Sequence, residues 1–234
     1  MIRVTLDGAT VGTEPTAALP PVSASFSTGG ATLLETEGGS RPTLLSLAAS
    51  GRMKLDAGSV TAVRTEAGGT SNPLTPAQLR RSVALIDTPL VAEHSDDVSV
   101  SSVVREELAL ARPSRGRNPR FPTSMKNEKR PFGSLSAVDR LSLLIDLALR
   151  RPDVEALVIT SPERHGGEPA RWWHLVRETA AHGGAGGDGV AVLVVTDHAT
   201  VAHLDRLPHP EPVGDDALSL FDLAPSDTSE SRAS

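Results

Sequence analysis

Cysteine is absent from the 234 residues, and so is tyrosine. The first absence excludes disulfides and thiolate metal sites and fits a reducing compartment. Aromatic residues make up only 3% of the chain, too few to build stacking platforms for bases. No run of about 18 apolar residues occurs, so no membrane-spanning helix is expected. The chain starts directly in a strand-like alternation of Ile2, Val4 and Leu6, and a secretory signal is not expected. Excess positive charge is also missing. The net charge of -6 argues against nucleic acid as the main partner.

What is present has the composition of a globular domain, with 38% hydrophobic and 22% charged residues. Residues 2–63 read as β-rich, with alternation in Val22, Ala24 and Phe26 and a turn at Gly29-Gly30. Thr43 to Ala49 reads as a helix stopping near Gly51, and 65–73 as a Gly/Ser/Asn loop. Thr75 is an N-cap with Pro76 in the first turn. Val83 to Ile86 is a buried-strand candidate, and 98–111 an amphipathic helix. Residues 136–150 form a second amphipathic helix, with Leu141, Leu144, Ile145 and Leu147 on its apolar face. Val154 to Thr160 is a strand, and Pro169 to His182 a helix. Val190 to Thr196 is a continuous β-branched run, as expected of a parallel strand covered on both faces. Seven cations between Arg112 and Arg130, among prolines, read as a basic loop, and 208–234 as a disordered acidic tail.

The segment Glu35 to Thr43 lies where a strand turns into a helix. A phosphate-binding loop there would read G-x-x-x-x-G-K-[ST], with glycines curling backbone N–H groups around phosphate, Lys reaching it and Ser/Thr holding Mg²⁺. This chain keeps Gly38, Gly39 and Ser40, but has Glu35 for the first Gly, Arg41 for Lys and Pro42 for Ser/Thr. Thr43 is the nearest hydroxyl.

With its neighbours, this loop resembles the ATP-binding domain of ABC transporters. Thr43-Leu44-Leu45-Ser46-Leu47-Ala48-Ala49, then Asp56-Ala57-Gly58-Ser59-Val60, is similar to the family's "STLL-x-LLAG…PDSGxV". Leu135-Ser136 stands where the LSGGQ signature opens a helix, and Leu147 to Asp153 resembles "ALARRPD". Leu157 to Pro162 takes the place of the Walker B strand "LLLLDEP", Gly167-Glu168-Pro169 that of the D-loop, and Val192 to His198 that of "VLVVTHD". The resemblance spans about 2–207. It implies an α/β fold: a P-loop NTPase-like mixed sheet flanked by helices, with an N-terminal antiparallel β part. It also implies a helical subdomain, shortened here to about 88–135 and containing the basic loop.

The implied chemistry is degraded at several points. Thr160 and Ser161 replace the metal-linked Asp and the general-base Glu of Walker B, and Ser is no base near neutral pH. Ala137 and Val138 replace the signature's glycines, Asp87 stands near the Q-loop Gln, and Asp197-His198 inverts the H-switch pair. No stacking aromatic lies near Thr13. The resemblance therefore implies a weak or inactive ATPase, a pseudo-ATPase, with ATP as ligand through Gly38, Gly39, Ser40, Arg41 and Thr43. The lost ligands argue against Mg²⁺. The implied partners are a membrane permease or envelope protein and a second ATP-binding subunit, like or unlike, with the chain cytoplasmic or peripheral at the inner face of the membrane. The basic loop would suit anionic headgroups or plain solvent.

Two alternatives stand beside this. A composite site shared with a competent subunit would restore hydrolysis. A small metal-dependent hydrolase would use Asp197, His198 and His203, all of them residue types that bind Zn²⁺. Arg41 reads equally as a phosphate contact or a solvated helix-start residue. Of Trp172 and Trp173, about 100° apart on a helix, one is expected in the core and the other at an interface.

Overall fold

The computed structural model describes residues 1–13, 15–111, 128–184 and 187–206. Most of the basic loop and the whole acidic tail lie outside these residues.

Two four-stranded sheets carry the fold. Strands β1 (Ile2–Val11), β2 (Leu19–Ser27), β4 (Ala57–Thr65) and β5 (Ser71–Pro73) form an antiparallel sheet in the order β2-β1-β4-β5. Strands β3 (Ala31–Glu35), β6 (Val83–Ile86), β7 (Ala156–Thr160) and β8 (Ala191–Thr196) form a parallel sheet in the order β3-β8-β7-β6. Both expected sheets are therefore present. The 65–73 segment, read as a loop, contributes the three-residue edge strand β5, whose residues are all exposed and so lack any alternation of burial.

Side-chain alternation divides the parallel sheet into two faces. Val83, Ala156, Val158, Ala191, Leu193 and Val195 face helix α1 (Arg41–Ala49) and the antiparallel sheet, in one core with Ile2, Val4, Leu6 and Phe26. Helix α1 is thus walled by both sheets, and Leu45, Ala48 and Ala49 are fully buried. Ala84, Ile86, Leu157, Ile159, Val192 and Val194 face the opposite core. That core is built with α3 (Val100–Leu110), α4 (Ala137–Leu149) and α5 (Pro169–His182). Every residue of β7 and β8 is buried, because both faces of the sheet are covered.

Local sequence signals fix the shorter elements. Thr75 and Gln78 form a reciprocal capping box at the start of α2 (Pro76–Ser82). Gly58 (φ +74°) lies where a Cβ would come within 2.1 Å of the Gly8 carbonyl oxygen, beside the register shift between β1 and β4. Trp172 is in the core, and Trp173 meets it edge-on at 6.4 Å, partly buried against the same cluster. Among the described residues no helix is long and apolar enough to cross a membrane.

Candidate functional site at the carboxyl edge of the parallel sheet

Strands β3, β6, β7 and β8 end on one edge at Glu35, Ile86, Thr160 and Thr196, where open α/β sheets place their ligands. The loops leaving them enclose a cleft of about 450 Å³. One wall is the entry to α1, with Gly38, Gly39, Pro42 and Thr43. The facing wall carries Ser161, Glu163, Arg164 and Asp197.

The first wall keeps the character of an anion cradle. Gly39 has φ +80°, and a Cβ built at Gly38 or Gly39 would meet no atom within 4 Å, so the backbone is open to the cleft. Ser40 is the N-cap residue of α1, yet its side chain makes no capping hydrogen bond. The amides of Gly38, Gly39, Ser40 and Arg41 have no acceptor among the described residues, and the helix N-terminus favours negative charge. Two features weaken the cradle. Pro42 sits in the first turn and has no N–H to give. The Arg41 guanidinium pairs with the exposed Glu37 carboxylate one turn back.

The facing wall differs from the expected metal and base site. Thr160 is fully buried, and its Oγ1 lies 2.8 Å from both Ser46 Oγ on α1 and Thr88 Oγ1 after β6. Three hydroxyls satisfy one another, and no carboxylate stands at the Thr160 position. The Mg²⁺ site that the resemblance implies thus lacks its two expected ligands: Pro42 offers no hydroxyl, and that of Thr160 is already committed. Ser161 lines the cleft in a left-handed conformation (φ +48°). This kink and the buried Pro162 turn the chain into a short 3₁₀ segment, Pro162–His165, which brings Glu163 into the cleft. Glu163 Oε2 accepts a hydrogen bond from Thr196 Oγ1 at 2.7 Å. Burial, with a smaller contribution from the Asp197 charge, pushes its carboxyl above the usual range despite that bond.

Asp197 and His198 are brought to the cleft's rim in structural roles. Asp197 is the N-cap of α6 (His198–Leu204), its Oδ1 accepting from the Thr200 N–H at 2.7 Å. His198 is 80% exposed and pairs through Nδ1 with Glu35 at 2.9 Å. His203 is exposed on α6. Among the described residues no three His, Asp or Glu side chains converge in a metal-binding group, so the hydrolase alternative has no ligand set there. Leu135 and Ser136 are not brought to the cleft. Leu135 packs into the helical core, and Ser136 caps α4, accepting from the Asp139 N–H at 3.1 Å.

A charged cluster behind the cleft gathers around Asp87, which motif order placed near the Q-loop Gln but without these partners. Asp87 follows β6 with φ +52° and is 6% exposed. Arg140 donates to it at 3.1 and 3.3 Å, Arg164 pairs with it at 2.9 Å, and His165 Nε2 stands 2.6 Å away. Burial alone would raise the Asp87 carboxyl, but the His165 and Arg140 contacts outweigh it and hold it at about 2. Arg140 also donates to Asp96 at 2.6 Å and lies over the Phe132 ring at 4.3 Å. Besides its place in the motif order, the sequence signal of Asp87 is a carboxylate directly after a buried apolar strand. Glu163 carried a similar signal, three residues past the end of β7.

No family model matches the chain, and no curated protein matches it. Its structure nevertheless resembles known ones. A nucleotide-free ATP-binding cassette from an ABC transporter superposes with a TM-score of 0.55 at 19% identity, over 88% of this chain and 85% of that one. The dimeric bacterial ABC transporter cassette MJ0796 gives 0.54 at 14% identity, over 85% and 90%. The ADP conformation of the cassette MJ1267 gives 0.53 at 19% identity, over 84% and 82%. The chain therefore has the fold of ABC transporter ATP-binding cassettes, and identities this low carry the fold alone.

Proposed function

We propose that the chain is an ATP-binding-subunit-like protein of the ABC transporter kind that retains a nucleotide cleft but hydrolyses ATP weakly or not at all. The observation that carries this reading is Thr160. Phosphoryl transfer in this fold relies on a metal held beside the phosphates and a group that orients the attacking water. Where the metal-linked carboxylate would stand, three buried hydroxyls close on one another. Losing one general base costs about 10²- to 10⁴-fold in rate. The amides of Gly38 to Arg41, the Ser40 hydroxyl and Thr43 remain to hold phosphate, with Arg41 available once it leaves Glu37.

The proposed role is a binding or scaffolding subunit that serves a membrane transport or envelope protein at the inner face of the membrane. MJ0796, similar in fold, is described as dimeric, and a second ATP-binding subunit is the proposed neighbour. A steady-state ATPase assay on the purified protein tests the reading, with background turnover expected with or without Mg²⁺. Mg²⁺-dependent turnover that disappears in Arg41→Ala would sink it. Turnover that emerges only on adding a competent second subunit would replace it with a composite site.

A further inference from the structure

The two walls of the cleft are unlike in charge. The α1 wall offers unpartnered amides, and the facing wall offers the Glu163 and Asp197 carboxylates. The cations around Glu163 are already engaged. Arg164, on the same turn, is drawn to Asp87 and Glu93, with 2.9 and 2.5 Å contacts. Arg41, from the loop before α1, is held by Glu37. Glu35 and His198 at the rim pair with each other, and His165 behind the turn faces Asp87. Asp197, from the β8–α6 junction, adds a second negative charge and is committed to capping α6.

A phosphate group entering this cleft thus meets two carboxylates, while among the described residues the cations beside it, Arg41 and Arg164, are each already paired with a carboxylate. Asp197 is committed as an acceptor to the α6 cap. Glu163 is not a cap: protonated, it can donate into the cleft it lines, and partial burial already holds its carboxyl above the usual range. We propose that Glu163 takes up a proton when a phosphate-bearing ligand enters, so that a proton supplies the charge neutralisation a divalent cation would otherwise give. This rests on the reading of the cleft as a nucleotide site.

The test is calorimetric titration of ATP into wild-type protein and Glu163→Gln in EDTA, between pH 6 and 8, in two buffers of different ionisation enthalpy. Titration of ATP itself is common to both proteins, so their difference is the readout. The wild type is expected to take up close to one proton more per ATP, and its Kd to weaken about tenfold more per pH unit than that of the variant. Glu163→Ala, which also lacks the carboxyl, should match Glu163→Gln and covers the case in which one variant fails to fold. Equal proton uptake by wild type and variants overturns the inference and leaves the nucleotide reading intact. So does a tenfold or greater tightening of the wild type by Mg²⁺. Failure of the wild type to bind ATP at any pH, with or without Mg²⁺, overturns both.

Discussion

The ends of β6 and β7, adjacent strands of one sheet, deal with buried polarity in opposite ways. After β6, Asp87 gathers Arg140, Arg164 and His165 into a charged knot. At the end of β7, Thr160 joins Ser46 and Thr88 in a neutral one. The two differ in what each member contributes. A buried carboxylate is tolerable only while its cations stay, whereas a hydroxyl triad carries no charge to desolvate. Buried charge is thus held at the end of β6 and not at the end of β7, and there it ties the loop after β6 to α4 and to the turn after β7.

Four experiments can break this contrast, starting from the largest effect. Arg140→Met removes the principal partner of Asp87 and should cost about 3–5 kcal/mol in urea unfolding; a loss under about 1 kcal/mol would mean that Arg164 and His165 suffice. Thr160→Asp puts a carboxylate among hydroxyls with no cation at hand and should cost about 2–4 kcal/mol while bringing no Mg²⁺-dependent turnover. Recovered turnover would show that the site is one substitution from activity. The third experiment is an acid titration of stability. Asp87 is depressed from 3.8 to about 2, so its contribution is complete above pH 4 and is lost as pH falls from about 4 to 2. That limb should amount to about 2 kcal/mol and vanish in Asp87→Asn, itself less stable at pH 7. The smallest effect belongs to the cradle: Arg41→Ala breaks an exposed pair within one turn and should change stability by less than about 0.5 kcal/mol.

The central strands were legible because burial on both faces demands an unbroken apolar run, and Val190 to Thr196 is one. Helix α4 was legible because only one of its faces meets the core. The edge strand β5 was not, since exposure removes the pattern that marks a strand. The Asp87 knot was hidden for a different reason. Arg140 lies 53 residues from Asp87, and Ser46 lies 114 from Thr160, so these pairings exist only once the sheet has formed. Motif order placed Thr160 and Ser161 at the end of a central strand, where the structure has them. It gave no hint that Glu163, two residues on, would be the carboxylate turned into the cleft by the Ser161 kink.

The position of α1 between two sheets has a kinetic consequence. Leu45, Ala48 and Ala49 lie in the core shared by both sheets, so the amides there open to solvent only when that core comes apart, and in native-state hydrogen exchange they belong with the slowest in the molecule. The exposed residues ahead of the helix, Glu37 to Ser40, lie outside that core, so their amides exchange fast until a ligand covers them.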